Sequence, residues 1–275
     1  MTISRFRKLV WEHAKAHGRH ALPWRAAKAG PYQVLVSEIM LQQTQVDRVV
    51  PFYQSFLKLF PNIAALAAAP LADVLRAWQG LGYNRRGKML HDAAKALVRD
   101  HRGKVPRDVM ALEALPGIGP YTARAVAAFA FDEDVIFIET NLRTAVIHHF
   151  FTGQEKVSDA DVLAVLGKAF PQGQSRAWYA ALMDYGAHLK RSGVRVNARS
   201  KGYARQKAFV GSDREARGAI LKALALGPQP ARKLAGLLGP ERSPQLRRAL
   251  SALLAEGMAV RRMGSYALPD ANPRS

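Results

Sequence analysis

The chain has 275 residues, 49% of them apolar, so it can bury a sizeable core and is expected to form one large or two to three smaller domains. Its 41 Lys and Arg against 21 Asp and Glu give a formal charge of +20, a surplus that implies a polyanionic partner, nucleic acid first, because neutralising phosphates releases counterions. No cysteine occurs, which excludes disulfides, thiolate catalysis, Cys-ligated zinc and iron–sulfur clusters.

Apolar residues at three- and four-residue spacing predict helices over 4–17, 31–46, 47–60, 71–78, 86–101, 107–114, 120–130, 141–151, 158–169 and 175–189. On the first, His13 and His17 have a metal-compatible spacing, but no glutamate follows His13 and no third ligand is evident; with His20 they read as a solvated cluster. Only Val135 to Ile138 looks strand-like. Glycine and proline punctuation at Gly80 to Gly82 and Pro116 to Pro120 predicts an all-α bundle with short connections. No stretch is long enough to span a bilayer and Met1 to Leu9 lacks an apolar signal core, so a cytoplasmic protein without a membrane partner is expected.

Within that bundle, Leu115-Pro-Gly-Ile-Gly-Pro-Tyr-Thr122 places two glycines around one apolar residue and opens a helix immediately afterwards, so several backbone N–H groups point outward together. Such a turn suits a phosphate. Between Tyr185 and Ser212, seven basic residues (Lys190, Arg191, Arg195, Arg199, Lys201, Arg205, Lys207) and no acidic one mark a connector, read either as a solvated run or as a phosphate-contacting one.

The last segment has its own logic. Ser212-Asp-Arg-Glu215 predicts a capping box opening a helix to Leu226, Gly227 to Pro230 a turn, Ala231 to Leu238 a second helix, and Ser243-Pro244 a third that Gly257 ends. Met258 to Arg262 and Ser265 to Leu268 then form a hairpin. Three helices and a hairpin make a winged helix, with Arg247 and Arg248 on the groove-entering helix and Arg261 and Arg262 on the wing; a protein-binding winged helix is the alternative.

Two carboxylates stand out. Glu38 has Val34, Leu35, Leu41 and Gln42 as its neighbours at helical spacing, so it either loses hydration and gains the pKa of a general acid or sits exposed at an element edge. Glu139 follows an apolar run and precedes a helix, where it is either a site carboxylate or a helix-starting acid favoured by the macrodipole. Together, paired carboxylates around an anomeric carbon can divide leaving-group protonation from stabilisation of an oxocarbenium-like transition state.

The hairpin with its downstream acid resembles the helix-hairpin-helix superfamily of DNA glycosylases. Leu22-Pro-Trp-Arg25, Ser37-Glu-Ile-Met-Leu-Gln-Gln-Thr-Gln45, Gly80-Leu-Gly-Tyr-Asn84 and Leu182-Met-Asp-Tyr-Gly186 resemble its MutY-like adenine branch, in order over residues 5 to about 190. The resemblance implies an all-α fold of two helical subdomains with a cleft, followed here by the winged helix. The expected division is 1–28 plus 134–190 carrying the second acid, 29–133 carrying the hairpin, a connector over 191–211 and the winged helix over 212–270.

The resemblance also assigns roles. The acid at Glu38 protonates the flipped adenine at N7, Tyr121 and Asn141 support the sugar and the acids, and Glu139 stabilises the cationic sugar. Gln42 and Tyr83 wedge into the base stack; Gln42 lies one turn beyond Glu38, which places wedge and acid on one helical face. Trp24 and Arg25 wall the pocket, Gln43 and Arg85 join the DNA contacts, and the amides around Gly117, Ile118 and Gly119 hold a phosphate. The carbonyls of Glu113, Leu115 and Ile118 are a candidate site for a sodium or potassium ion. Bifunctional relatives carry a Schiff-base lysine where this chain has Tyr121, so water is the expected nucleophile and no lyase step is implied.

Three features depart from that pattern. Glu139 stands where aspartate is usual, adding one methylene, about 1.5 Å of reach. Lys190 stands where the first cluster cysteine would be and the other three are missing, so no cofactor is expected. The winged helix replaces the domain that reads 8-oxoguanine. The expectation is a monomeric, monofunctional DNA glycosylase acting on double-stranded DNA, with adenine in a mispair as the target. Alternatives are uracil or thymine opposite guanine, an alkylated purine, or a non-catalytic DNA-binding or regulatory protein.

Overall fold

The computed structural model describes residues 1–203 and 208–269. Arg205 and Lys207 of the expected connector lie outside them, as does residue 270 of the expected winged helix. Contacts divide the chain into two compact units: Met1–Glu38, Pro106–Ala114 and Ile118–Arg205 form one, and Ile39–Val105, Leu115–Gly117 and Gln206–Ser275 the other.

The first unit is helical. It holds α1 (Ile3–His17), most of α2 (Pro31–Leu41), α7 (Val109–Glu113), α8 (Pro120–Phe131), α9 (Thr140–Phe150), α10 (Asp159–Ala169) and α11 (Ser175–Arg191). Several starts have a local cause: the Thr2 hydroxyl accepts from Arg5 N–H, Ser158 and Asp161 form a reciprocal capping box, and Gly119 with Pro120 opens α8. Phe6, Val10, Leu142, Val146, Trp178 and Leu182 meet in one apolar core that joins α1, α9 and α11.

The closest approach in that core is made by Gly186. A Cβ there would lie 2.1 Å from the Asn141 carbonyl oxygen, so only glycine lets α11 run against the first turn of α9. Val135 to Ile138, expected as a strand, has no ladder partner among the described residues. It is an extended link held by packing, with Phe137 buried against Tyr179 and the Tyr179 hydroxyl donating to Val135 O at 2.7 Å. A continuous apolar run of this kind is explained by its packing, not by pairing. Of the histidines expected to be solvated, His17 and His20 are exposed, whereas both ring nitrogens of His13 are buried and without a hydrogen-bond partner, its ring lying against His17, Tyr185 and His188.

The second unit holds α3 (Val46–Leu59), α4 (Ile63–Ala68), α5 (Leu71–Ala77) and α6 (Arg85–His101), followed by α12 (Asp213–Ala225), β1 (Gln229–Pro230), α13 (Ala231–Ala235), α14 (Ser243–Ala255), β2 (Val260–Arg262) and β3 (Ser265–Ala267). The strands form an antiparallel sheet in the order β1-β3-β2, with Arg261 and Gln229 flanking Tyr266. Three helices and this sheet are a winged helix. β1 was legible only as a turn, because its two residues pair with β3 far along the chain. Ser212 caps α12, but Glu215 turns back to the Gly211 N–H instead of the Ser212 amide, so the capping box is half made. The winged helix packs onto the preceding helices: α12 lies against α5, and Arg76 Nε donates to Ala225 O. Among the described residues no helix is long and apolar enough to cross a membrane.

Candidate active site

Glu38 lies three residues from the end of α2, a helix whose Val34, Leu35, Val36, Ile39 and Met40 are all buried. With this surround the carboxylate is only 6% exposed, so the edge-exposed reading of Glu38 is excluded. Loss of hydration disfavours the anion, and the nearby Glu139 charge adds to it; against a hydrogen bond from Tyr121, the result is a pKa raised to about 7. At neutral pH this side chain is therefore populated both as acid and as base, which a proton donor needs.

Tyr121 is the second residue of α8, placed directly behind the glycine-rich turn. Its hydroxyl donates to Glu38 Oε2 at 3.3 Å. Burial, together with the two carboxylates, pushes the phenol well above its ordinary pKa, so it stays a donor.

Glu139 is the N-cap of α9, so the reading of it as a helix-starting acid holds. Oε1 accepts from Asn141 N at 2.7 Å and Leu142 N at 2.9 Å, satisfying two amides of the first turn. Oε2 accepts from Asn141 Nδ2 at 3.3 Å. Desolvation raises its pKa, while the two amides, Lys190 and Arg143 oppose the rise. On the far side of Asn141, Lys190 Nζ donates to Oδ1 at 2.9 Å. Two carboxylates in electrostatic contact, each desolvated and each with its own donor, thus occur within one unit.

Trp24 and Arg25 form a 3₁₀ turn, Pro23–Arg25, beside this site. Trp24 is buried. Arg25 makes a two-pronged pair with Asp184, NH1 to Oδ2 at 2.7 Å and NH2 to Oδ1 at 3.0 Å, and Arg19 adds Nε to Oδ1 at 2.6 Å. Asp184 is 3% exposed, and these cations outweigh its burial and hold its pKa below the ordinary carboxylate range. The Leu182 to Gly186 motif therefore serves an internal clamp tying the turn to α11, and Arg25 is committed to it.

The expected base-stack residues lie in the second unit. Here α2 stops at Leu41, so Gln42 does not continue the helical face that carries Glu38; Gln42 and Gln43 form the turn after it, Gln43 with φ of +53°. Arg86, which sequence reasoning passed over, builds this turn: its NH1 donates to the carbonyls of Ile39, Met40 and Gln42, and its NH2 to Thr44 Oγ1 and Gly82 O. The signal was present in a basic residue following a glycine-rich loop, but its neighbour Arg85 has the same context. Tyr83, at φ of +49°, has the guanidinium groups of Arg86 and Arg214 at 5.3 and 5.1 Å from its ring centre, and Arg214 NH1 donates to its hydroxyl. Gln42, Gln43, Tyr83, Arg85 and Arg214 border a cavity of about 450 Å³. At the hairpin, Gly117 has φ of +75° and a Cβ there would strike Met89 Cβ at 2.5 Å. On the winged helix, Arg247, Arg248, Arg261 and Arg262 are exposed.

A helical fold with a glycine-bracketed turn and a desolvated acid pair defines a base-excision class of protein, and comparison with known proteins agrees. The chain belongs to the HhH-GPD superfamily of base excision DNA repair proteins, whose model matches residues 36–172. It is 38% identical to the adenine DNA glycosylase of Mycolicibacterium smegmatis, over 94% of this chain and 93% of that one, and 37% identical to that of Mycobacterium tuberculosis, over 97% and 94%. Among solved structures it is similar to a thermostable thymine-DNA glycosylase, with a TM-score of 0.58 and 24% identity over 71% of this chain and 95% of that one. It is also similar to endonuclease III in a trapped covalent DNA intermediate, with a TM-score of 0.58 and 21% identity over 68% and 87%. A cluster held by four thiolates does not fit this chain, which has no cysteine and places the Lys190 side chain on Asn141.

Proposed function

We propose that the protein is a monofunctional adenine DNA glycosylase that hydrolyses the N-glycosidic bond of an adenine flipped out of a mispair in double-stranded DNA. The observation that carries this reading is the buried Glu38 carboxyl, held near neutrality in its pKa, hydrogen-bonded by Tyr121 and coupled to Glu139. A base inside a duplex is out of reach, so it is extruded while Gln42 and Tyr83 replace its stacking and the amides around Gly117 and Gly119 grip the strand. The relatives named above support adenine as the base.

Glu38 donates its proton to N7 of the purine as the C1′–N9 bond breaks. The bonding pair leaves with the base, and the sugar becomes an oxocarbenium-like cation. The Glu139 carboxylate stabilises that cation; its extra methylene relative to aspartate is taken up by its own cap on α9. Water adds its oxygen to C1′, and the proton it loses returns to Glu38, leaving free adenine and an uncut abasic site. Tyr121 offers no amine, so no Schiff base forms there. Arg247 and Arg248 enter the major groove and Arg261 and Arg262 flank it.

The test is a duplex panel with adenine opposite 8-oxoguanine, guanine and cytosine, beside uracil and thymine mismatches, treated with alkali after incubation. Strand cuts confined to adenine in a mispair, and dependent on alkali, are the expected result. Cuts only at uracil or thymine, or binding with no cut anywhere, would overturn the reading.

A further inference from the structure

In the active-site unit the second acid is reached from α11 through one amide. Gly186 brings α11 against the first turn of α9, and Lys190, one helical turn further along the same face, extends its ammonium to Asn141. An ammonium has three donors and no acceptor, so the atom of Asn141 it touches must be the carbonyl oxygen. That choice fixes the amide: its NH₂ end faces Glu139 Oε2, at 3.3 Å. Without the cation the amide is free to turn over and present an oxygen to the carboxylate.

We propose that Lys190 is a positioning residue for the second acid: through Asn141 it orients the Glu139 carboxylate and supplies the positive charge that keeps it ionised for stabilising the cationic sugar. Of the cations near Glu139, Lys190 contributes more than Arg143. From α2 comes Glu38, whose negative charge would compete with that of Glu139, and from α8 the Tyr121 phenol, which stays neutral and brings no positive charge. On α9 itself stands Arg143, but its guanidinium is committed to Asp159, NH2 meeting both carboxylate oxygens at 2.9 and 3.0 Å. The helix N-terminus and the two capping amides favour the anion, and Lys190 is the charge that α11 adds.

The proposal rests on the glycosylase reading, and the experiment separates the two. Single-turnover excision of adenine is followed from pH 5 to 9 for wild type, Lys190→Met and Lys190→Arg, with DNA binding measured alongside. The Glu139 side-chain carboxyl is titrated in the same three proteins by ¹³C NMR, assigned with Glu139→Gln. Glu139 acts as an anion, so loss of the cation raises its pKa and moves the acidic limb of the rate profile to higher pH. The expected shift in Lys190→Met is on the order of one pH unit, about tenfold in rate on that limb, with the basic limb and DNA binding unchanged. Lys190→Arg is expected to restore both the limb and the titration. Superposable profiles and carboxyl titrations for wild type and Lys190→Met would overturn the proposal, as would a Lys190→Arg protein that behaves like Lys190→Met. If wild type excises no base, the glycosylase reading fails by itself, and the Glu139 titration alone then decides whether Lys190 controls that carboxyl.

Discussion

Tyr121 donates its hydroxyl to Glu38 Oε2 from the first turn of a helix that begins at the glycine-rich turn, so one side chain joins that helix start to the acid. Burial raises the Glu38 pKa and this bond lowers it, and the balance lies at about 7. A carboxyl so tuned still holds its proton near neutral pH, at the cost of keeping a charged form badly solvated.

Glu38→Gln keeps the volume and removes the transferable proton. Excision by this variant should fall by about 10²- to 10⁴-fold, the usual weight of general acid catalysis, while affinity for the adenine mispair duplex is retained. Wild-type rate should decline above about pH 7 as Glu38 ionises. Single-turnover kinetics and gel-shift titration check both, and near-wild-type turnover by the variant would remove the proton-donor role.

The same substitution should stabilise the fold at alkaline pH. Glu38 has a higher pKa folded than the 4.5 of its unfolded form, so between these values the native state binds the extra proton and unfolding free energy falls as pH rises. Above about pH 7 the full penalty, on the order of 3 kcal/mol from the pKa difference, is present. Thermal unfolding should show Glu38→Gln above wild type in Tm at pH 8, with the gap closing toward pH 4.5; a gap that does not change with pH would contradict this account.

Glu139→Gln should lose excision by roughly 100-fold or more, since the transition-state cation then faces a neutral amide. The amide oxygen can still accept from Asn141 and Leu142 N–H, so the α9 cap survives and the Tm cost should stay within about 1 kcal/mol. Circular dichroism melts beside the kinetics separate these effects. An active variant would shift attention to another carboxylate, but Asp132 and Asp134 bond the Arg176 amide and the Gly173 amide respectively and serve the start of α11.

Gly186→Ala should be among the most damaging single-methyl changes in the active-site unit. The new Cβ would overlap the Asn141 carbonyl, and separating α11 from α9 costs about 1–3 kcal/mol as an overpacked contact. Because Asn141 moves with α9, excision should fall by more than the Tm loss accounts for. Denaturant unfolding and single-turnover rates, compared with a neighbouring Ala187→Ser control, provide the check.

Much of this was legible in residue order, and the failures have physical causes. Long amphipathic helices such as α6 and α11 announced themselves through periodicity, and the winged helix through its turns. α4 did not, because Ile63 to Ala68 is mostly alanine and carries no stripe; its cap, Asn62, was the only sign. The stop of α2 at Leu41 is imposed by Arg86, which gathers three carbonyls that a longer helix would have used, and no local residue betrays it. The acids could be proposed individually, yet their joint desolvation depends on partners 83 and more positions away. The reach of Lys190 to Asn141 depends on a close helix crossing that a lone glycine permits.

The grip of Arg214 on Tyr83 has an architectural consequence. The C-terminal segment is seated upon the Tyr83 loop, with Arg214 over the face of its ring and Arg76 bonded to the end of α12. Pruning the chain ahead of Ser212 would therefore leave that aromatic half-undressed and its left-handed backbone unsupported.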